Sequence, residues 1–274
     1  AARSIVRTRV ARLRGVAAHA WCGLGRVAVS DTALKTEIAE AVRRFEGADP
    51  AHVLAWAAER FPGQASLATG FGAEGCILIH LVGRHQLPIE VFTLDTGVLF
   101  PESYALRERL EERYGLRIRA ITPSLTLDEQ AAQHGPELWA RDPNRCCAIR
   151  KVEPLRKYLA TRRVWATAIR RDQTADRAHT AVIEWDRKFG LVKVNPLASW
   201  TSRDVWKFIA RENVPYNPLH DQGYTSIGCA PCTTLVSDGE DPRAGRWRGH
   251  QKTECGLHTL PVIAVNGIPT EVAS

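Results

Sequence analysis

The chain has 274 residues, 45% hydrophobic and 24% charged, with a formal net charge of +7. That length buries a substantial core in one large domain, with or without appendages, and the composition is that of an ordinary globular protein. No apolar run is long enough to span a membrane, and seven cysteines in a chain of this size do not make a secreted disulfide framework. Metal-bound thiolates in a reducing compartment, the cytoplasm, suit the cysteine usage better.

Residues 1–30 carry six arginines (Arg3, Arg7, Arg9, Arg12, Arg14 and Arg26) and no acid, so only one of the seven net charges belongs to the remainder. They read as a basic targeting or disordered segment, or as a solvated extension. Asp31 caps a helix running to about residue 45. Asp49-Pro50 opens a second, with Pro at its first position, ending near residue 60. Residues 66–69 form a buried strand, followed by a Gly-rich turn and an apolar helix over 74–84. Residues 89–94 are a second strand, 101–114 a charged amphipathic helix, 116–121 a third strand and 164–169 a fourth. This alternation predicts an α/β fold with a doubly wound parallel sheet, which binds ligands at the carboxyl ends of its strands. Two shorter strand-like pieces lie in 179–194. Residues 201–212 read as a helix capped by Thr201 or Ser202, with Asp204 in its first turn. From Asn213 onward Pro, Gly and polar residues dominate, as in an irregular part held by a metal centre rather than a large core.

Four cysteines form two tight pairs, Cys146-Cys147 and Cys229-Ala230-Pro231-Cys232. Such pairs read as structural zinc or an iron–sulfur cluster. Adjacent cysteines are unusual for zinc, and a disulfide between neighbours is strained. Cys255 stands apart, between Lys252 and His258, cations that favour a reactive thiolate. Cys76 lies in an apolar helix and reads as core. The turn Thr69-Gly70-Phe71-Gly72-Ala73-Glu74-Gly75 offers backbone N–H groups to a phosphate, although it is neither a Walker loop nor a GxGxxG fingerprint. Leu94-Asp95-Thr96-Gly97 ends the next strand at the same crevice. Arg150-Lys151, Arg170-Arg171-Asp172-Gln173, Arg177, Arg243 and Arg246 form a cationic set suited to a phosphate or sulfate.

Four ordered motifs carry a resemblance. They are Cys146-Cys147-Ala148-Ile149-Arg150-Lys151, Arg170-Arg171-Asp172-Gln173, Ser226-Ile227-Gly228-Cys229-Ala230-Pro231-Cys232 and Glu254-Cys255-Gly256-Leu257-His258. Together they resemble the assimilatory adenylylsulfate reductases, over roughly residues 60–258. The resemblance implies an adenine-nucleotide α-hydrolase-like sheet with an irregular, iron–sulfur-bound C-terminal part. It implies a [4Fe–4S] cluster on Cys146, Cys147, Cys229 and Cys232, and Cys255 as nucleophile. Lys151, Arg243, Arg246 and His258 are the implied substrate contacts, with Arg170 and Arg171 as further ones, and Gly72 and Leu94 at the strand ends. The implied parts are a basic segment 1–30, an α/β domain over 31–240 and a mobile tail over 241–274. The implied activity is thioredoxin-dependent reduction of adenosine 5′-phosphosulfate to sulfite and AMP through a Cys S-sulfonate. The resemblance also implies an external thioredoxin or glutaredoxin-like reductant. A homo-oligomer stays open. The chain departs from the family where Gly70 and Gly75 replace a Ser and an acid of the phosphate turn, and where Ile169 replaces a Gln.

Two neighbouring activities compete. Reduction of a 3′-phosphorylated substrate, or of both substrates, is the closer one, and the two cysteine pairs argue for the unphosphorylated form. A zinc-stabilised nucleic-acid-binding module is the other; it predicts salt-sensitive polynucleotide binding and no role for Cys255. The enzyme reading expects neither nucleic acid nor membrane as a partner. A pyrophosphatase-like ligase needs a Ser-Gly-Gly-type loop that is missing here.

Overall fold

The computed structural model describes residues 31–258 and two strand pieces, 264–265 and 268–269. The basic segment 1–30, with Cys22, lies outside the described residues. Helices α1 (Asp31–Phe45) and α2 (Pro50–Arg60) come first. Asp49 accepts the Ala51 N–H at 2.8 Å and Pro50 takes the first helical position, so α2 starts where the sequence signals it. The alternation follows: β1 (Ala65–Thr69), α3 (Ala73–His85), β2 (Glu90–Leu94), α4 (Pro101–Tyr114) and β3 (Ile118–Ile121). Short helices α5 (Leu127–His134), α6 (Leu138–Arg141) and α7 (Pro143–Cys147) run into a π-helical turn (Ala148–Val152) and then α8 (Glu153–Leu159). After β4 (Val164–Ala166), β5 (Ile183–Asp186) and β6 (Leu191–Val194) comes α9 (Ser202–Glu212). Thr201 and Asp204 cap α9 reciprocally, which makes Thr201 rather than Ser202 its cap.

The main sheet has the order β3-β2-β1-β4-β6-β5, and every neighbouring pair is parallel except β5 with β6. The chain winds outward from β1 to β3 and then crosses to the other side of β1. The order therefore reverses between β1 and β4, and the loops leaving those strands open a crevice at their carboxyl ends. The expected α/β class holds, with β5 as an antiparallel edge. The fourth strand is shorter than expected. Its last ladder bond runs from the Thr167 N–H to the Val194 carbonyl, and the chain then turns, so Arg170 lies beyond the strand.

Side chains alternate between the two faces of each strand. Leu67, Val91, Val164 and Val192 join the larger core with α2 and α3. Phe92, Trp165 and Leu191 point the other way, onto Leu155, Tyr158 and Leu159 of α8. Both faces are covered, as a parallel sheet requires. Leu257 of the C-terminal segment packs on the second cluster, so the tail is part of that cover. Among the described residues no helix is long and apolar enough to cross a membrane.

Candidate active site

Asp142 accepts the Arg145 N–H at 2.9 Å and starts α7, which ends on Cys146 and Cys147. The backbone then widens into the π-helical turn that carries Arg150 and Lys151. Such turns concentrate at functional positions. Cys229 precedes and Cys232 ends a 3₁₀ turn (Ala230–Cys232) held from two sides. The Ala230 N–H donates to the Val98 carbonyl after β2 at 2.8 Å, and the Trp247 N–H donates to the Cys232 carbonyl at 3.0 Å. As a result, both cysteine pairs line one small recess, together with Arg150, Lys151 and Trp139. The thiols surround this recess. Among the described residues no three Cys, His, Asp or Glu side chains close on one point as ligands of a single ion do.

Burial pushes the Cys146 and Cys232 thiols up to about 11. Burial also raises Cys229, but Lys151 and the Thr96 hydroxyl, 3.2 Å from its sulfur, bring it below the usual thiol range. The same desolvation acts against the Lys151 ammonium, and Cys229, Cys255 and Cys147 more than offset it, holding it above the usual lysine range. Arg150 is committed elsewhere. It donates to the Thr96 carbonyl and to Gln130 Oε1, tying α5 and the β2 loop to the π turn.

At the end of β1, Thr69 Oγ1 accepts the Phe71 N–H at 3.0 Å, and Phe71 takes a left-handed conformation (φ 60°). Gly72 opens α3 without a side-chain cap, so the first N–H groups point out of the helix into the crevice. A Cβ on Gly75 falls 2.7 Å from Thr69 Oγ1, so no larger side chain fits beside this threonine. Leu94 ends β2 at the rim of the second cluster. Arg170 reaches across the crevice, donating from Nε to Glu74 Oε1 at 2.9 Å, and also pairs with Asp172. Arg171 turns away. Its guanidinium forks onto Glu46 at 2.7 and 2.9 Å, near the end of α1. The crevice thus receives Arg170 and not Arg171, because consecutive residues here project to opposite sides.

Arg246 lies over the Trp247 ring at 4.6 Å and donates to the Ile227 carbonyl at 3.3 Å. Arg243 donates to the Thr253 carbonyl at 2.9 Å and to Glu254 Oε2 at 3.2 Å. His258 stacks on Trp165 with 5.6 Å between centroids. Burial, then the charges of Lys193, Arg177, Arg243 and Lys188, hold its pKa well below the ordinary value, so the imidazole is neutral. Arg243 Nε, Arg246 Nε, Trp247 Nε1 and His258 Nδ1 are all buried without a hydrogen-bond partner. An unmet buried donor costs roughly 1–3 kcal/mol.

The C-terminal segment is seated as far as residue 258. Glu254 is clamped between Arg177 and Arg243. The Lys188 ammonium donates to the Gly256 carbonyl, and Lys252 donates to Asn144 beside the Trp247 ring. Cys255 is half-buried, within electrostatic reach of Lys151, Lys188 and Cys147. A mobile tail is expected over 241–274; residues 241–258 lie docked on the body here.

Residues 64–235 match the phosphoadenosine phosphosulfate reductase domain. The chain belongs to that family. An adenosine 5′-phosphosulfate reductase from Salinibacter ruber is 46% identical over 82% of this chain and 90% of its own length. Adenosine 5′-phosphosulfate reductase 1 from Bacillus subtilis is 50% identical over 75% of this chain and 89% of its own. Among solved structures, a phosphoadenylyl-sulfate reductase from Candida auris superposes with a TM-score of 0.64 at 28% identity, covering 77% of this chain and all of that one. An FMN adenylyltransferase from Candida glabrata shares the fold alone, with a TM-score of 0.51 at 13% identity. Both likenesses agree with the adenine-nucleotide α-hydrolase-like sheet.

Sequence reasoning within this family misses Glu254, Lys188, Trp165 and Trp247 as parts of the site. Glu254 had a signal, since it immediately precedes Cys255 in the last motif. Lys188 had none. It reaches Gly256 only because the β5–β6 turn lies under the tail.

Proposed function

We propose that the protein reduces adenosine 5′-phosphosulfate to sulfite and AMP, with Cys255 as nucleophile and an external dithiol of the thioredoxin or glutaredoxin type as reductant. The carrying observation is the seat of Cys255, within electrostatic reach of Lys151 and next to Glu254, which Arg177 and Arg243 hold. The Salinibacter and Bacillus relatives bear the name of this activity at 46% and 50% identity. In the first step the Cys255 thiolate attacks the sulfate sulfur. The bond from that sulfur to the bridging phosphate oxygen breaks, AMP departs with the electron pair, and Cys255 carries an S-sulfonate. A reductant thiolate then attacks Cys255 Sγ and expels sulfite, leaving a mixed disulfide. The second reductant thiol resolves it, so the dithiol ends as a disulfide and Cys255 as a thiolate.

Lys151, Arg243 and Arg246 would hold the phosphosulfate and stabilise charge on the leaving phosphate. Neutral His258 would donate one hydrogen bond. The α3 N-terminus at Gly72 and the β2 end at Leu94 would flank the nucleotide. Arg170 joins them only by exchanging Glu74 or Asp172 for substrate. Arg171 is left out, being committed to Glu46.

Cys146, Cys147, Cys229 and Cys232 would hold a [4Fe–4S] cluster. The donors suit it: four thiols surround one recess, and burial makes most of them poor free thiolates, so a cationic iron–sulfur core is the natural counterpart. When bound, the cluster supplies electrostatic organisation around Lys151. A reducing cytoplasm is the setting that would keep such paired thiols available to a cluster.

The test is intact-mass analysis of anaerobically purified protein incubated without reductant, with adenosine 5′-phosphosulfate or its 3′-phospho form. A sulfonate adduct mapped to Cys255 with the first nucleotide alone is the expected result. An adduct with both makes the enzyme dual-specific. An adduct with neither, from iron-loaded protein, rejects the mechanism.

A further inference from the structure

Glu254 immediately precedes Cys255, and only 5% of its side chain is exposed. Arg177 grips its carboxylate as a fork, Nε to Oε1 at 2.9 Å and a terminal nitrogen to Oε2 at 2.8 Å; Arg243 adds a bond at 3.2 Å. Arg177 also donates to Gln173 Oε1 at 2.6 Å. The amide nitrogen of Gln173 donates to Glu74 Oε1 at 3.1 Å, which also accepts from Arg170. Glu74 lies in the first turn of α3. An unbroken run of hydrogen bonds therefore joins the anion-binding turn after β1 to the residue beside the nucleophile.

We propose that Glu254 is a positioning residue, and that the Arg177–Glu254–Arg243 clamp sets the register in which Cys255 presents its sulfur beside Lys151. The proposal rests on Cys255 being the nucleophile. A forked guanidinium–carboxylate contact fixes direction as well as distance, which a single ammonium does not. Because the pair is buried, loss of Glu254 leaves the Arg177 guanidinium without its counter-charge, and loss of Arg177 leaves Glu254 held by Arg243 alone. Gln173 and Glu74 make the same clamp sensitive to the nucleotide turn.

The experiment compares full-length, iron-loaded wild type with Glu254→Gln, Glu254→Asp, Arg177→Gln and the Glu254→Gln/Arg177→Gln double variant. Hydrogen exchange over residues 251–258 reads tail anchoring. The single-turnover rate of Cys255 sulfonation at saturating nucleotide, with AMP affinity measured alongside, reads positioning. The Gln variants should exchange faster over 251–258 and sulfonate about tenfold or more slowly, with AMP affinity nearly unchanged. The double variant should be no slower than the worse single one, and Glu254→Asp should recover part of the rate. Unchanged exchange over 251–258, or wild-type sulfonation from a loosened tail, overturns the proposal. If wild type forms no sulfonate, the functional reading fails, and the exchange comparison still decides whether Glu254 holds the tail.

Discussion

Arg246 owes its place to the absence of a side chain at residue 228. A Cβ there falls 2.1 Å from one terminal nitrogen of Arg246 and 2.4 Å from Cζ. The obstructed atoms are the far end of a flexible side chain, so the guanidinium moves and the backbone stays. Gly228→Ala should cost about 1 kcal/mol of stability or less. Its KM for the nucleotide should rise about tenfold, the size of one lost charged hydrogen bond. Steady-state kinetics beside a thermal melt checks this, and a large drop in Tm with unchanged KM contradicts it. Gly245 is a different case. Its Cβ would meet the Thr234 carbonyl at 2.1 Å, and Thr234 pairs with Gly245 through its own N–H. There the backbone has no room to yield.

Helix α3 begins at the Gly-rich turn after β1 and runs out to the surface at Arg84 and His85, and its middle carries a buried histidine. His80 Nδ1 lies 3.0 Å from the Tyr114 hydroxyl of α4, and its ring meets Phe208 of α9 edge-on. Burial brings its pKa from 6.5 down to about 4; Glu212 opposes this and Arg84, Arg113 and His85 add to it. The folded imidazole is therefore neutral, while the unfolded one protonates first as pH falls. Stability is full above about 6.5, is lost as pH falls toward about 4, and levels off below. The loss from this group approaches about 3 kcal/mol. Thermal melts between pH 7 and 4 should show it, and His80→Gln should flatten the slope over that window. An unchanged slope in the variant assigns the acid sensitivity elsewhere.

Across the whole molecule, the cysteine recess joins parts that are distant in the chain. α7 and the π turn meet the 3₁₀ turn at Cys229 and the loop after β2. A bound cluster there would be a cross-link as well as an electrostatic centre. Cys229→Ser should lose iron, visible absorption and turnover together, and its Tm should fall by several degrees. Cys255→Ser should keep iron, colour and Tm, and lose turnover. Iron assay, absorption spectra and melts on anaerobic protein separate the two. Sulfite production by the Cys255 variant at the wild-type rate rejects the nucleophile assignment.

Long elements with local signals were legible before any coordinates. The Asp49-Pro50 start of α2, the Thr201 cap of α9 and the strand–helix rhythm through residue 121 all depend on neighbours in sequence. No element is expected from periodicity over residues 122–163, where α5 to α8 lie. Those helices are short, and their stability comes from local caps such as the Thr126–Glu129 pair and from tertiary packing. The two cysteine pairs, Cys255 and the cationic residues were readable as chemistry because spacing and residue type carry it. Which arginine serves which partner was not. Arg170 and Arg171 are adjacent in sequence, yet one crosses the crevice to Glu74 and the other reaches Glu46. Hydrophobic period and side-chain chemistry are local properties, so the fold class and the candidate reactive groups follow from residue order alone. The seating of the tail by Glu254, Arg177 and Lys188 arises on folding, because these polar contacts depend on which surfaces the sheet brings within hydrogen-bond distance.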